Sequence, residues 1–237
     1  MISFIIPLYN EQENIPQLIN SLIDLKKRKK LDCELVLVND NSKDSTANLI
    51  NNYAKKYDFV KPLHRKKGQN GMGYALIDGT RTAKGDIIIW TMGDNSDDIN
   101  TYEKLIDKIN QNYDVVFATR YIKGGSRGDL DRLKALFSSS YTKITSILFG
   151  MNLHDITNAF RCFKKEVFNS FIIESGDFAI SPEFAIKAHL NKFKMGEIPT
   201  VYSNRKKGQS KFKLFKMGIR YISLFKFRFI NKKKWKK

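Results

Sequence analysis

The sequence predicts an α/β fold in which one mostly parallel sheet carries helices on both faces. Three observations carry that reading. Short apolar runs alternate with longer amphipathic ones through the first half of the chain, which is the rhythm of repeated βαβ units. With 237 residues, 42% hydrophobic and 12% aromatic, the chain has enough apolar material for one sizeable core. Polar segments rich in Asp and Asn follow the apolar runs, and open sheets of this kind bind ligands at the carboxyl ends of their strands.

In chain order, residues 2–6 read as a strand and 15–25 as an amphipathic helix, and 34–38 with 46–57 repeat the pair. A basic, glycine-rich loop at 64–73 leads into a helix starting near Tyr74. Residues 87–90 form a short apolar run bounded by polar residues, the signature of a buried strand, and a helix over 102–109 and a strand over 115–118 follow. The second half is less regular: a helix over about 130–149, a loop around Asp155, a strand near 159–163 and a helix from about 182 to 190. No internal repeat or linker interrupts this pattern. Function is therefore expected just after Ile6, Val38, Trp90 and Ala118.

Charge and cysteine content exclude several classes. Lys and Arg number 42 against 24 Asp and Glu, a formal net charge of +18, so phosphorylated small molecules, polyanions or an anionic membrane surface are the natural partners. Cys33 and Cys162 have no nearby second thiol, which excludes a disulfide scaffold and a zinc ribbon. No apolar run approaches the roughly 18–20 residues of a membrane span. The first strand begins at Ile2 with no charged leader before it, so a cytoplasmic protein is expected, in peripheral contact with the membrane at most. A nucleic-acid partner is not expected, because it would leave the strand-end motifs without a purpose.

Residues 211–237 mix aromatic and aliphatic residues with Lys and Arg and contain no acid. Phe212, Phe215, Ile219, Ile222 and Phe229 recur at steps of three or four, with a gap at Lys226, so a helix there would carry one apolar stripe. Such a stripe suits a membrane interface or the packing of a core helix, and both readings stay open.

Two carboxylate clusters follow strands: Asp40 with Asp44, and Asp94 with Asp97 and Asp98. In so basic a protein, strand-end carboxylates call for a cation or a sugar hydroxyl. Mg²⁺ or Mn²⁺ takes a few carboxylate oxygens and fills its shell with phosphate oxygens. Asp94 is the favoured metal ligand, whereas Asp98 suits the cap of the helix that follows. Backbone amides of the 64–73 loop offer a phosphate site, but Gly71 and Gly73 lack the third glycine of a dinucleotide fingerprint, and no P-loop is present. Arg120, Arg127, Arg132, Arg205 and Lys211 lie beside flexible glycines, and guanidinium forks match phosphate oxygens. Lys27 to Lys30 and the terminal lysines read as solvated charge, and His64, His154 and His189 as structural.

Together these segments resemble a known pattern: Ile-Pro-Leu-Tyr-Asn-Glu at 6–11, Val-Asn-Asp-Asn-Ser-Lys-Asp-Ser-Thr at 38–46, Gly-Met-Gly-Tyr-Ala at 71–75 and Met-Gly-Asp at 92–94. They are similar to glycosyltransferases of family two with the GT-A fold. Thr-Arg-Tyr at 119–121 with Gly124 and Gly125, Asp-Ile-Thr-Asn-Ala-Phe-Arg at 155–161 and Arg-Lys-Lys-Gly-Gln-Ser-Lys at 205–211 narrow the resemblance to the dolichol-phosphate mannose synthase branch. The resemblance covers residues 2–211. It implies one domain over 1–211, with a donor half of about 1–120 and an acceptor half of about 121–211, followed by a basic amphipathic extension over 212–237.

It also implies inverting transfer of a sugar from a nucleotide-diphosphate donor, GDP-mannose or a UDP-sugar, to a polyprenyl or dolichyl phosphate. Carried over by position, Pro7, Tyr9, Glu11, Val38 and Asp40 would hold the nucleoside, and Met92, Gly93 and Asp94 would lie by the ribose and diphosphate. Asp94 and Arg120 would be catalytic, with Arg120, Arg205 and Lys211 also binding the donor and neutralising phosphates of donor or acceptor, and Arg132 and Ser138 or Ser139 on the acceptor phosphate. The metal, Mg²⁺ or Mn²⁺, would be held by Asp94, with Ser96 and Asp97 beside it. The chain departs from the family's Asp-x-Asp with Met92 at the first position, has Ser96 where an amide is usual, and has Asn39 for the first acid of the pair after the second strand. Three rivals remain at this stage: a saccharide or other soluble hydroxyl acceptor, with Asp155 or Glu183 as general base; a nucleic-acid-binding module; and an inactive scaffold, favoured by Met92.

Overall fold

The computed structural model describes residues 1–66, 68–205, 207, 214–230 and 235. Strands β1 (Ile2–Leu8), β2 (Cys33–Asn39), β3 (Val60–His64), β4 (Ile87–Trp90), β5 (Val115–Thr119), β6 (Arg161–Lys164) and β7 (Met195–Pro199) form one sheet in the order β3-β2-β1-β4-β6-β5-β7. Every neighbouring pair is parallel except the two made by β6. The expectation of a mostly parallel sheet therefore holds, and β6 is the one strand that runs back through it.

Among the described residues eight helices accompany the strands: α1 (Ile15–Lys29), α2 (Thr46–Lys56), α3 (Met72–Thr82), α4 (Ile99–Ile109), α5 (Arg132–Phe149), α6 (Lys165–Asn169), α7 (Ile180–Leu190) and α8 (Leu214–Ser223), with a 3₁₀ turn at Leu224–Arg228. β1 and β2 are buried along their whole length, as a parallel strand covered on both faces must be, and so read as continuous apolar runs. Side chains alternate between the faces. Phe4, Ile6, Leu35 and Ile89 pack with residues of α1 and α4, while Ile5, Val36, Ile88 and Trp90 pack with residues of α3 and α7.

Local sequence sets the helix ends. α1 has Pro in its first turn, Lys26 to Lys29 in its last, and Lys30 in the left-handed region at φ 50°, an arrangement that suits the helix dipole. The lysine run is thus helix C-terminal charge. Asp98 accepts a bond from the Asn100 N–H at the start of α4, in agreement with its reading as a cap.

The strands that no apolar run announced are β3 and β7, the two sheet edges. β3 is largely solvent-facing and carries Pro62, and β7 contains Gly196; an edge strand tolerates both, since one side of it makes no ladder.

At the C-terminus the core takes residues other than those of the expected stripe. Met217 and Tyr221 of α8 and then Leu224, Phe227 and Trp235 join the core under α5 and α7. Phe215, Ile219, Ile222 and Phe229, four residues of the expected stripe, point to solvent; Phe212 lies outside the described residues. No helix among the described residues is long and apolar enough to cross a membrane.

Candidate functional site

The carboxyl ends of β1, β2, β4 and β5 meet along one edge of the sheet, and two adjoining clefts open there. The first, about 360 Å³, is lined by Pro7, Tyr9, Glu11, Asp40, Gly71 and Met92, among others, which is room enough for a nucleoside. Asp40 is buried and holds the far wall: its carboxylate accepts from the Gly71 N–H at 2.8 Å and from the Arg65 guanidinium. Arg65 in turn donates to Asp78 at 2.8 Å, and its charge state is secured against burial by these two acids. The 65–71 loop is thereby tied to β2 and α3. The Gly71 amide, a phosphate candidate in the sequence, is already spent on Asp40.

The second cleft lies beyond β4 and β5 and is lined by Asp94, Asp97, Arg120, Lys134, Ser138 and Tyr202, with further residues of α5 and α7. Met72, Met92, Phe178 and Arg205 line both clefts. Arg205 sits at their seam, donating to Asp94 Oδ2 at 2.6 Å and lying 3.5 Å from Glu11 Oε1. Burial raises the Glu11 pKa, Asn14 and Arg205 work against that, and Asp94 adds to it. Two acids and one guanidinium therefore converge where a diphosphate would pass from one cleft to the other. The segment that delivers Arg205 is pinned across the mouth, since Ser203 N–H donates to Ser96 O at 3.2 Å and Tyr202 N–H to Ser126 O at 2.9 Å.

Arg120 extends from β5 into the second cleft. Its Nε and Nη2 form a fork on the fully buried Asp155, at 2.6 and 2.9 Å, and Nη2 also reaches Thr157. Burial alone would lower its pKa; Asp155, helped by Tyr121 and Tyr202, holds it above the ordinary arginine value. Arg161, fully buried at the start of β6, spends its guanidinium on the carbonyls of Ile156, Asn158 and Ser181. The Asp155-to-Arg161 segment is thus a folded brace behind Arg120. Glu183 is equally committed: it takes the N–H groups of Glu174 and Ser175 and pairs at 2.6 Å with Lys187, both side chains being fully buried.

Of the remaining sequence candidates, Ser138 reaches the cleft, bonded to Tyr121 Oη at 2.5 Å. Arg132 and Ser139 do not line it; Arg132 is exposed at the start of α5, and the Ser139 hydroxyl donates to Leu136 O. Their place is taken by Lys134, four residues before Ser138 and so on the same helical face. That spacing was readable in the sequence. Val38 lies in the core under α3 and lines neither cleft. Gly93 lines neither; a Cβ there would meet Leu8 Cδ2 at 2.4 Å, so the glycine lets the β4 loop lie against β1. Lys211 lies outside the described residues. Arg65 and Asn70 lie in the 64–73 loop that the sequence marks only for its backbone amides, and Phe178 and Tyr202 stand in none of the sequence motifs.

A divalent cation has one ready protein anchor here. Asp94 faces the seam, with Oδ1 accepting from the Ser96 N–H at 3.1 Å and Oδ2 turned to Arg205. Asp97 lines the cleft but directs Oδ2 to Thr91 Oγ1 and the Met92 N–H, and burial, reinforced by Asp94, pushes its pKa up to about 7. Among the described residues no three His, Cys, Asp or Glu side chains converge on one point. A hard cation bound chiefly by phosphate oxygens needs only one or two carboxylates, so the donor set fits a metal that arrives with its diphosphate. It does not fit a metal caged by protein alone.

The model of Glycosyl transferase family 2 matches residues 3–172. The chain is 31% identical over 214 residues to dolichol-phosphate mannosyltransferase of Pyrococcus furiosus, covering 90% of this chain and 59% of that one. It therefore spans about three-fifths of that relative's length. It is 26% identical over 233 residues to polyprenol monophosphomannose synthase of Mycolicibacterium smegmatis, covering 91% and 86%. Among solved structures it is similar to glucosyl-3-phosphoglycerate synthase from Mycobacterium tuberculosis in complex with Mn²⁺, uridine diphosphate and phosphoglyceric acid: TM-score 0.74, 16% identity, 96% of this chain and 78% of that one. At that identity the likeness concerns the fold, which is GT-A.

Proposed function

The chain belongs to glycosyl transferase family 2, and from that premise we propose that it transfers a sugar, with inversion, from a nucleotide-diphosphate donor to a polyprenyl or dolichyl phosphate. One observation carries the choice of acceptor. The two carboxylates that the sequence offers a hydroxyl acceptor as general base, Asp155 and Glu183, are fully buried and locked to Arg120 and to Lys187, and Asp97, which lines the cleft with a pKa pushed up to about 7, turns Oδ2 away to Thr91 Oγ1 and the Met92 N–H, whereas the cleft presents Arg120, Lys134 and Arg205. A phosphate acceptor is already an anion and needs cations to place it, not a base to deprotonate it. The names of the Pyrococcus and Mycolicibacterium relatives agree with that acceptor class.

In this reading the first cleft holds the nucleoside between Tyr9 and Asp40, and the diphosphate lies across the seam at Asp94 and Arg205. The acceptor phosphate sits between Arg120, Lys134 and Ser138. An acceptor oxygen forms the new bond to the anomeric carbon from the face opposite the diphosphate, the bond to the β-phosphate oxygen breaks, and nucleoside diphosphate leaves with the electron pair. Arg205 meets the charge that develops on it, released from Asp94 as the phosphates enter. Mg²⁺ or Mn²⁺, held by Asp94, would supply further neutralisation of the same leaving group. The enzyme would work peripherally at the cytoplasmic face of the membrane, its basic C-terminal segment toward the lipid.

The test is calorimetric and kinetic. GDP-, UDP- and dTDP-sugars are titrated with and without Mn²⁺, and the donor that binds is then offered a short-chain isoprenyl phosphate or a saccharide. Binding of one donor that Mn²⁺ strengthens and Asp94→Asn weakens, followed by transfer to the isoprenyl phosphate, is the expected result. Transfer to the saccharide alone would overturn the acceptor; no donor bound under any condition would favour a scaffold.

A further inference from the structure

Asp177 and Phe178 line the first cleft, and Phe178 lines the second as well. The residues before them, 172–176, belong to no helix or strand, yet they lie directly against the entry of α3. Tyr74 N–H donates to Gly176 O at 3.2 Å. A Cβ on Gly71 would come within 2.2 Å of Gly176 O, one on Gly73 within 2.5 Å of Ser175 O, and one on Gly176 within 2.0 Å of the Tyr74 ring. Contact this close makes the loop and the helix entry move as one. Gly71 is also the residue whose N–H is bonded to Asp40, so a shift of the loop reaches the far wall of the first cleft.

A buried ion pair holds the loop in place. Glu183 of α7 accepts from the N–H of Glu174 at 2.8 Å and of Ser175 at 2.7 Å, and pairs with Lys187 at 2.6 Å. Lys187 donates to Ile172 O at 2.7 Å and lies 3.4 Å from Glu174 Oε1. Both members of the pair are fully buried, and the rings of Phe227 and Trp235 stand over the lysine. One glutamate and one lysine thus bond the backbone of Ile172, Glu174 and Ser175, in a segment that has no ladder of its own for those groups. Desolvating two charges is expensive, and well-packed apolar residues of the same volume serve stability as well or better. Stability alone therefore does not account for the pair. What an apolar pair could not do is bond the backbone of the loop. We infer that Glu183 and Lys187 are positioning residues for the donor: they clamp residues 172–175 and so set Phe178 and the entry of α3 around the first cleft. Neither lines a cleft itself. The inference rests on the donor reading of the first cleft for its purpose, while the clamp stands on its own bonds.

Two variants of the full chain approach the clamp from opposite sides. Glu183→Gln combined with Lys187→Met removes both charges together, leaves no unpaired ion in the core and sacrifices one of the two carboxylate acceptors. Gly176→Ala leaves the pair intact and drives the loop away from Tyr74. Each is compared with the native protein by thermal unfolding, by calorimetric titration of GDP, UDP and dTDP with Mn²⁺, and by hydrogen exchange. At a temperature where every protein is folded, both variants should bind the nucleotide about tenfold more weakly, the scale on which residues outside a site modulate it, while the KM of a short-chain isoprenyl phosphate stays within about twofold. Exchange should quicken over 172–178 and 71–76 together. Native nucleotide affinity in a double variant that melts lower overturns the inference, as does an equal loss at donor and acceptor. If the native chain binds none of the nucleotides, the donor reading of the cleft fails and exchange alone judges the clamp: rates over 71–76 that stay native while those over 172–178 rise would overturn it. Should the double variant not fold, Gly176→Ala decides by the same outcomes.

Discussion

At the scale of single residues, the seam between the clefts concentrates the chemistry. Asp94 is the strand-end acid that holds its cation more closely, with Arg205 at 2.6 Å against 3.5 Å for Glu11. Asp94→Asn should lower kcat/KM by about a hundredfold or more, the scale of removing one electrostatic contact to a developing charge, and should weaken the effect of Mn²⁺ on donor binding in the same titration. Lys134 and Arg132 stand two residues apart on α5, yet Lys134 lines the second cleft and Arg132 does not. Steady-state kinetics should separate them: Lys134→Ala is expected to raise the acceptor KM by about tenfold, the loss of roughly one charge-assisted contact, while Arg132→Ala with a soluble acceptor stays within about twofold. Equal effects from both would return the acceptor phosphate to the N-terminal end of α5.

At the scale of elements, the second half of the sheet depends on polar ties as much as on apolar burial. Asp114, just before β5, accepts from Lys164 Nζ of β6 and from the Lys194 N–H ahead of β7, both at 2.8 Å. Partial burial would raise its pKa, but the Lys164 and Lys194 bonds lower it below the usual carboxylate value. A carboxylate depressed in the folded state adds stability above its unfolded pKa and loses it as pH falls through the folded one. Asp114→Asn should therefore cost about 1 kcal/mol near neutral pH, and denaturant titrations should show that difference closing as pH drops below about 4. A gap that stayed constant down to low pH would mean that the charge of Asp114 is not what ties the three strands.

At the scale of the whole molecule, the C-terminal part is not a detachable appendage. Met217, Tyr221, Leu224, Phe227 and Trp235 belong to the same core as Trp90, Phe163 and Phe184. The buried Lys187 Nζ lies 4.3 Å from the Phe227 ring centroid and 5.6 Å from that of Trp235, while Ile172 N–H donates to Trp235 O at 2.7 Å. A chain ended after residue 211 should lose its cooperative thermal transition or melt far below the full chain, because losing even one buried aromatic of this size costs about 3–5 kcal/mol. A truncated protein that melts like the full chain would restore the boundary expected at 211. Surface substitutions, not deletion, are consequently the proper probe of what the C-terminal helix does outside the core.

The sequence by itself determined the interior strands and the edge of the sheet where the site lies. β1, β2, β4 and β5 are covered on both faces and so had to be apolar runs, and the polar residues after them had nowhere to go but the ligand edge. Pro7, Tyr9, Glu11, Asp40, Asp94 and Arg120 were legible for that reason. Edge strands β3 and β7 were not, since a strand with one free side needs neither an unbroken apolar run nor the exclusion of Pro and Gly. Only the tertiary structure decided that Asp155 is spent on Arg120 across 35 residues and Glu183 on Lys187. It also decided that Val38 belongs to the core, that Lys134 and not Arg132 faces the cleft, and that the C-terminal helix is apolar on both sides. Each of these depends on which partner a side chain meets in space. A carboxylate reads alike in sequence whether it awaits a substrate or is already neutralised by a buried cation.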